Sequence, residues 1–168
     1  LLNRGINEET IKTFQIGFAP KGWDNLSTFF KKNLDPELQK VDAGLFKISE
    51  KNNKIYDVFR NRIIFPIKSH RDQIIGFGGR VIDPTDNPKY LNSSDSDIFK
   101  KGRELYGLSE ILKNKKRINR IVVVEGYTDV LSLFSNDMNY AVATLGIATS
   151  KVHIDKLFTH VDLSLIHI

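Results

Sequence analysis

The apolar run Ile121–Val124 constrains the fold of this chain more than any other feature. Four consecutive apolar residues without alternation indicate a strand that is buried on both faces, as in a parallel sheet. A helical pattern over 127–135, an apolar stretch over 140–145 and a second helical pattern over 150–158 follow it. This β-α-β-α order predicts an α/β unit built on a parallel sheet.

The residues before this unit predict a mixture of short helices and strands. Asn7 is the expected N-cap of a helix, because acidic residues fill the turn that follows it. Strands are expected over 63–67 and 74–77, joined by the polar turn 69–72. The remaining expectations are chain breaks at Gly17 and 19–22, a helix that is capped by Asp24 and runs through Phe30, a short helix from 35–37, a loop over 83–88, a helix over 106–112 and a basic linker over 113–120.

Charge divides the chain near the same place. Residues 1–119 contain 22 Lys or Arg and 15 Asp or Glu, a net charge of +7, whereas residues 120–168 contain three and five, a net charge of −2. A basic part followed by an acidic part suggests polyanion binding by the first and cation binding by the second. The alternative interpretation is that the excess of Lys only makes an ordinary polar surface.

Several classes of protein are not supported by the sequence. No apolar run approaches the ~20 residues that span a bilayer, and no signal-peptide pattern is recognisable. The chain has no cysteine, which excludes disulfides and Cys-ligated zinc within these residues. We therefore expect a cytoplasmic protein without a membrane partner, and the initial Leu suggests a fragment of a longer chain.

Glu125 follows the buried strand directly, at the edge where open α/β sheets bind their ligands. Gly126 allows a sharp turn and the close approach of a ligand. Asp129 comes four residues after Glu125, in the first turn of the expected helix. Two carboxylates so placed suit Mg²⁺, which accepts one or two carboxylates together with water and substrate phosphates. The alternative interpretation is that the two acids mark the start of a helix, where one caps the helix and the other complements its dipole.

A second group of candidate residues lies upstream. The glycine-rich stretch 76–80 matches neither the dinucleotide-binding nor the P-loop motif; it is either a strand whose glycines permit close packing or a loop that directs Arg80 at a phosphate. The stretches 88–94 and 99–103 combine cations with Tyr90 and Phe99, which suits single-stranded nucleic acid. A solvated loop is the alternative. The four histidines show no ligand spacing and are expected at the surface or in packing roles.

Taken together and in this order, the motifs resemble the bacterial DnaG-type DNA primases. The segment Val123–Val130 resembles the first motif of the Toprim fold, which primases share with topoisomerases. The resemblance implies a basic α+β subdomain over 1–119, followed by a truncated α/β Toprim subdomain with a parallel sheet over 120–168. The other segments that carry it, within about residues 4–158, are Arg4-Gly5, Phe14–Pro20, Gly22–Asp24, Phe59–Ile67, Ile75–Arg80, Pro88–Ser93, Phe99–Gly102 and Ala141–Gly146.

The resemblance also implies an activity: synthesis of short RNA primers on single-stranded DNA from ribonucleoside triphosphates, with Mg²⁺ or Mn²⁺. Glu125 would be a catalytic and metal-binding carboxylate, and Asp129 would assist it more weakly. The implied partners are the template, the nucleotides, the RNA–DNA hybrid product and the replicative helicase, which would be bound through a domain outside these residues; zinc is expected only in a module outside this chain. The implied template or nucleotide contacts are Arg4, Arg80, Lys89, Tyr90, Asn92, Lys101, Gly126 and Tyr127.

The chain also departs from the family pattern. A second acidic motif, Asp-x-Asp, is missing, so we expect this polypeptide alone to be inactive in primer synthesis. The segment 163–168 does not match the family and is predicted not to be native, and Asp162 is not assigned to the metal site. Two other functions remain open: another Toprim enzyme, such as a topoisomerase or a nuclease, and a non-catalytic module that binds single-stranded DNA.

Overall fold

A computed structural model describes residues 1–33, 44–113, 119–160 and 165–167. The helix expected from 35–37 and most of the expected linker therefore lie outside the described residues. The elements, in chain order, are a 3-10 turn Leu2–Arg4, α1 Glu8–Thr13, β1 Gly17–Ala19, α2 Asn25–Asn33, β2 Phe46–Ile48, β3 Ile55–Asp57, β4 Arg62–Lys68, β5 Ile74–Val81, β6 Tyr90–Asn92, α3 Leu108–Lys113, β7 Ile121–Val124, α4 Tyr127–Phe134, β8 Ala141–Ala143, α5 Lys151–Phe158 and β9 Leu165–His167.

The first half contains a four-stranded antiparallel sheet with the order β1-β4-β5-β6. Its centre is the β4–β5 hairpin, which confirms the two expected strands and the polar turn between them. The breaks expected at Gly17 and Ala19 are wrong, because Gly17–Ala19 forms β1, which pairs with β4, whereas 20–22 do lie outside any helix or strand. The extended conformation of this short segment comes from its pairing with β4, in which Gly17 lies opposite Ile64. Strands β2 and β3 form a separate antiparallel hairpin.

The first two helices start close to where the sequence predicts. Asn7 caps α1, since its side-chain oxygen accepts a hydrogen bond from the Thr10 amide at 2.8 Å. The second helix begins directly after Asp24, but a different carboxylate caps it. Asp57, at the end of β3, accepts from the amides of Leu26 at 2.6 Å and Ser27 at 3.0 Å. The first turn of α2 is thereby tied to the β2–β3 hairpin.

The second half is the expected α/β unit. Strands β7 and β8 are parallel, with Val122 opposite Ala141, and all four residues of β7 are buried. The backbone of β9 adds a third parallel strand on the other side of β7, giving the order β8-β7-β9. The mixed class expected from the sequence, α+β followed by α/β, is confirmed. The non-native origin of 163–168 stays a prediction.

The helix expected from Tyr106 begins two residues later, at Leu108. The amide and carbonyl groups of Tyr106 pair with those of Ala143 in an isolated antiparallel bridge, at 2.9 and 3.0 Å. Gly107, with φ of +88°, then turns the chain into α3. Tyr106 therefore joins the segment before α3 to the edge strand β8.

The two halves share one hydrophobic core. Phe14 and Phe65 both pack against the buried ring of Tyr106, which also belongs to the first half. Phe14 in addition contacts Phe134, on α4 of the second half. The ring of Tyr127 stacks on Phe65, with ring centres 4.9 Å apart and planes 8° from parallel. The candidate residues of both halves are consequently held in a fixed relation by this core. None of the helices in the described ranges has the length and apolar character needed to cross a lipid bilayer.

Candidate functional site

The two acidic candidates lie where β7 ends and α4 begins. Gly126 is the N-cap of α4, and its amide donates to Asp129 Oδ2 at 3.1 Å. The capping interpretation therefore holds for Asp129. It does not extend to Glu125, whose exposed carboxylate takes part in no hydrogen bond or ion pair with any other residue that the structure describes.

This donor set fits a hard divalent cation only in part. Carboxylate oxygens are the ligands that Mg²⁺ prefers, and it takes one or two of them, leaving the other positions to water and phosphate. Glu125 supplies an unengaged carboxylate, and Asp129 retains one oxygen that is not used by the cap. Within the described ranges, no group of three or more His, Cys, Asp or Glu residues could surround a metal ion.

A partly buried hydrogen-bond network joins this edge to the upstream motif. The Tyr127 hydroxyl donates to Asn92 Oδ1 at 2.5 Å, and Asn92 Nδ2 donates to the Leu145 carbonyl at 2.9 Å. Burial raises the pKa of the Tyr127 phenol, so that it remains a donor at any physiological pH. Leu145 follows β8, at the same carboxyl edge of the sheet as Glu125. Asn92, Tyr127 and the acidic residues therefore belong to one site.

The glycine-rich strand β5 explains how Tyr127 reaches this position. A Cβ atom at Gly78 would lie 2.5 Å from Tyr127 Cζ and 2.6 Å from its hydroxyl oxygen. At Gly79 a Cβ would lie 2.7 Å from a ring carbon of Phe59. The close-packing interpretation of the glycines is thus what the structure shows, since each absent side chain leaves room for an aromatic ring.

Arg80 and Lys89 flank the exposed ring of Tyr90. Arg80 on β5 is paired with Tyr90 on β6, and its guanidinium lies 5.4 Å from the ring centre. The Lys89 ammonium lies 5.9 Å from the same centre. Cations beside an accessible aromatic face form a surface that can hold a phosphate backbone while a base stacks. Asn92, two residues further on, links this surface to Tyr127.

Two other candidates lie apart from this network. Arg4 is exposed at the end of the 3-10 turn, and no contact among the described residues joins it to Asn92 or Tyr127. Lys101 is half-buried in the loop before α3, where its amide donates to Asp95 Oδ1 at 3.1 Å. Its ammonium has no acidic partner within the described part of the chain.

Sequence reasoning missed two features. Trp23 is 64% exposed, and the Arg60 guanidinium lies 4.1 Å from its ring centre with Tyr56 beside it, another surface suited to stacking. His153 is fully buried, in agreement with the packing alternative, but its hydrogen bonds through both ring nitrogens were not expected. The Ser150-x-x-His153 spacing, with His in place of the Glu or Gln of a capping box, was the available signal.

Comparison with known proteins identifies the family. The family model "DNA primase catalytic core, N-terminal domain" matches residues 1–112, and the model "Toprim-like" matches residues 122–167. The DNA primase of Salmonella typhimurium is 49% identical over 158 residues, which are 94% of this chain and 27% of the relative. The DNA primase of Escherichia coli K12 is 48% identical over the same share of each chain.

Solved structures agree with this result. The "E. coli primase catalytic core" matches with a TM-score of 0.91 and 46% identity, covering 99% of this chain and 52% of that one. A "DnaG primase catalytic domain bound to ssDNA" matches with a TM-score of 0.88 and 46% identity, covering 99% and 53%. The chain spans about a quarter of the curated relatives and about half of these solved cores. Since a model of the primase catalytic core matches two thirds of the chain and a Toprim model matches most of the rest, the chain belongs to the DNA primase catalytic-core family.

Proposed function

We propose that this chain forms the template-binding half and the first metal-binding edge of a DNA primase. The full polypeptide would synthesise short RNA primers from ribonucleoside triphosphates on single-stranded DNA at the bacterial replication fork, and release an RNA–DNA hybrid. One observation carries the proposal: Asn92 binds both Tyr127 and Leu145, and thereby joins the cationic hairpin β5–β6 to the edge that presents Glu125. A solved DnaG catalytic domain bound to single-stranded DNA has the same overall fold.

The cationic part of the site would hold phosphates. Arg80 and Lys89, whose cations both lie near the Tyr90 ring, offer two charges and a ring to a template strand or to a nucleotide triphosphate. Arg4 and Lys101 would add contacts further along the strand. Because such contacts release counterions, the affinity for single-stranded DNA should fall steeply with salt concentration.

The acidic part would hold the metal. Glu125 is the primary ligand in this proposal, because its carboxylate is exposed and unengaged; Asp129 is the weaker one, because one of its oxygens already caps α4. Mg²⁺ or Mn²⁺ bound there would neutralise charge on the transferring phosphoryl group. Gly126 leaves the approach to both carboxylates open, and Tyr127 fixes the helix start through its buried ring. In this proposal the replicative helicase would be bound by residues other than 1–168.

The substitution Glu125→Gln tests the proposal in the full-length polypeptide that carries this chain. Changing a residue that only orients a metal ligand costs about 10–100-fold, so loss of the Glu125 carboxylate, a direct ligand in this proposal, should lower primer synthesis by about 100-fold or more. The affinity for single-stranded DNA should be retained. Asp129→Asn should have a smaller effect, because an amide oxygen can still accept from the Gly126 amide.

Glu50→Gln is the matched control, since Glu50 is an exposed acid in the β2–β3 turn. It should leave both readouts unchanged. If primer synthesis survives Glu125→Gln, the metal role is wrong. If primer synthesis is absent in the unmodified polypeptide while DNA binding is present, the chain is a binding module rather than a polymerase.

A further inference from the structure

Side chains at the start and in the middle of α5 bind the backbone carbonyls of the basic loop Lys100–Arg103. The Lys101 carbonyl accepts from His153 Nε2 at 3.4 Å, and the Gly102 carbonyl accepts from Ser150 Oγ at 3.4 Å. The Arg103 carbonyl accepts from Lys156 Nζ at 3.0 Å. Three successive carbonyls of the basic loop are therefore bound by side chains of α5 and of its N-cap residue, Ser150. An ion pair of 2.5 Å between Lys156 and Glu104 reinforces the arrangement.

Both backbone groups of Lys101 are hydrogen-bonded to side chains. Its carbonyl is bound by His153 and its amide by Asp95, while its ammonium has no acidic partner among the described residues. The charge is thus displayed from a backbone that is fixed on both sides. A pre-positioned cation gains more from a phosphate than a mobile one, because less conformational entropy is lost on binding.

His153 connects two functions in one side chain. Its Nδ1 accepts from the Ser150 amide at 3.2 Å and so completes the capping box of α5. Because Nδ1 accepts, the neutral ring carries its proton on Nε2, which faces the Lys101 carbonyl. The ring is fully buried, and burial lowers its pKa, which favours this neutral form.

We propose that His153 is a positioning residue that sets where the Lys101 ammonium meets a phosphate. The inference rests on the proposed function, in which Lys101 contacts nucleic-acid or nucleotide phosphate. It goes further by assigning the placement of that cation to α5, which follows β8 at the same edge of the sheet as Glu125. Template phosphate and nucleotide triphosphate share this chemistry, and the experiment separates them.

The experiment uses His153→Asn, His153→Gln, Lys101→Met and the double variant His153→Asn/Lys101→Met, each in the full-length polypeptide. An Asn oxygen occupies nearly the position of Nδ1, so His153→Asn keeps the cap and loses the Lys101 contact. A Gln amide nitrogen occupies nearly the position of Nε2, so His153→Gln keeps the Lys101 contact and loses the cap. The readouts are the salt dependence of single-stranded DNA binding, the KM for nucleotide and the melting temperature.

Lys101→Met should reduce the slope of log affinity against log salt by about 0.7 if the contact is to the template. It should instead raise the nucleotide KM, by about tenfold, if the contact is to the triphosphate. His153→Asn should change the same quantity, salt slope or nucleotide KM, in the same direction as Lys101→Met does. In a protein that already carries Lys101→Met, His153→Asn should change that quantity by less than twofold. His153→Gln should lie closer to the unmodified protein in that readout but have the lower melting temperature.

Three results would overturn these ideas in distinguishable ways. If Lys101→Met moves neither the slope nor the KM, the proposed phosphate contact of Lys101 is wrong. If Lys101→Met moves one of them and His153→Asn does not, the positioning role is wrong and the contact stands. Two outcomes would make the role of His153 only structural. The first is an effect of His153→Asn that is the same in the unmodified protein and in Lys101→Met. The second is a functional loss that follows the melting temperature, so that His153→Gln is more impaired than His153→Asn.

Discussion

The contact between Gly78 and Tyr127 predicts a strong effect of adding a single methyl group. In Gly78→Ala the new Cβ would lie 2.5 Å from Tyr127 Cζ, far inside van der Waals contact. The ring cannot easily retreat, because it is stacked on Phe65 at 4.9 Å and meets the Tyr106 ring edge-on at 4.7 Å. The substitution must therefore displace either β5 or the start of α4.

Three contributions give the expected change in the free energy of unfolding of Gly78→Ala. Overpacking of a tight core costs about 1–3 kcal/mol, and loss of the Tyr127–Asn92 hydrogen bond costs about 0.5–1.5 kcal/mol. Replacing Gly by Ala recovers about 0.4–1 kcal/mol by restricting the unfolded chain. The net destabilisation is about 2 kcal/mol, which corresponds to a decrease of about 4–8 °C in melting temperature for a unit of this size.

The assay is urea and thermal unfolding, with Gly17→Ala as the matched control. Gly17 is in β1 of the same sheet, and among the described residues a Cβ there would have only Ile64 Cβ nearby, at 3.9 Å. Gly17→Ala should change the free energy of unfolding by less than about 0.5 kcal/mol or stabilise slightly. Tyr127→Phe removes only the hydroxyl. The double variant Gly78→Ala/Tyr127→Phe should therefore lose less free energy of unfolding than the two single variants lose together, because both disturb the same hydrogen bond. Equal unfolding free energies for Gly78→Ala and Gly17→Ala would refute the argument.

Two further outcomes can be checked by unfolding measurements. The Lys68 ammonium and Glu110 carboxylate form a buried ion pair at 2.9 Å, and Asp72 Oδ1 lies 3.6 Å from the same ammonium. Lys68→Met leaves the buried Glu110 without this partner and should destabilise by about 3 kcal/mol. Glu110→Leu should cost less, because Asp72 still faces Lys68, and the double variant should be more stable than Lys68→Met; if it is the least stable of the three, the pair is not the cause. Because burial lowers the folded-state pKa of His153, the unfolded chain takes up its proton first as the pH falls below about 6.5. The stability is therefore complete above that pH and declines below it until the folded-state pKa is reached, and urea midpoints at pH 7.5, 6.5 and 5.5 should show a smaller decline in His153→Asn.

Sequence reasoning succeeded where the determining interactions are local. Asn7 caps α1 through an amide three residues away, and the β4–β5 hairpin closes over a short polar turn. The burial of Ile121–Val124 follows from its unbroken apolar run, and the place of Glu125 follows from its position after that strand. Such signals act over a few residues, so they can be read without knowing the fold.

The same reasoning was incomplete where distant segments meet. Asp24 was the expected cap of α2, yet Asp57 accepts from its first amides, because the β2–β3 hairpin brings that carboxylate closer. His153 was not recognised as a binding partner of Lys101, 52 residues earlier. Spacing rules cannot supply such contacts, since they depend on which elements pack together.

The sequence by itself determined the β4–β5 hairpin, the β-α-β-α order of the second half, the uneven distribution of charge and the placement of Glu125 at the end of a buried strand. Tertiary structure alone decided how the two halves form one site. It places Tyr127 against Gly78 and bonds it to Asn92, residues 49 and 35 positions away. The physical reason is that secondary structure arises from interactions within one turn or one hairpin, whereas a site is assembled by core packing, which brings together side chains that no local pattern relates.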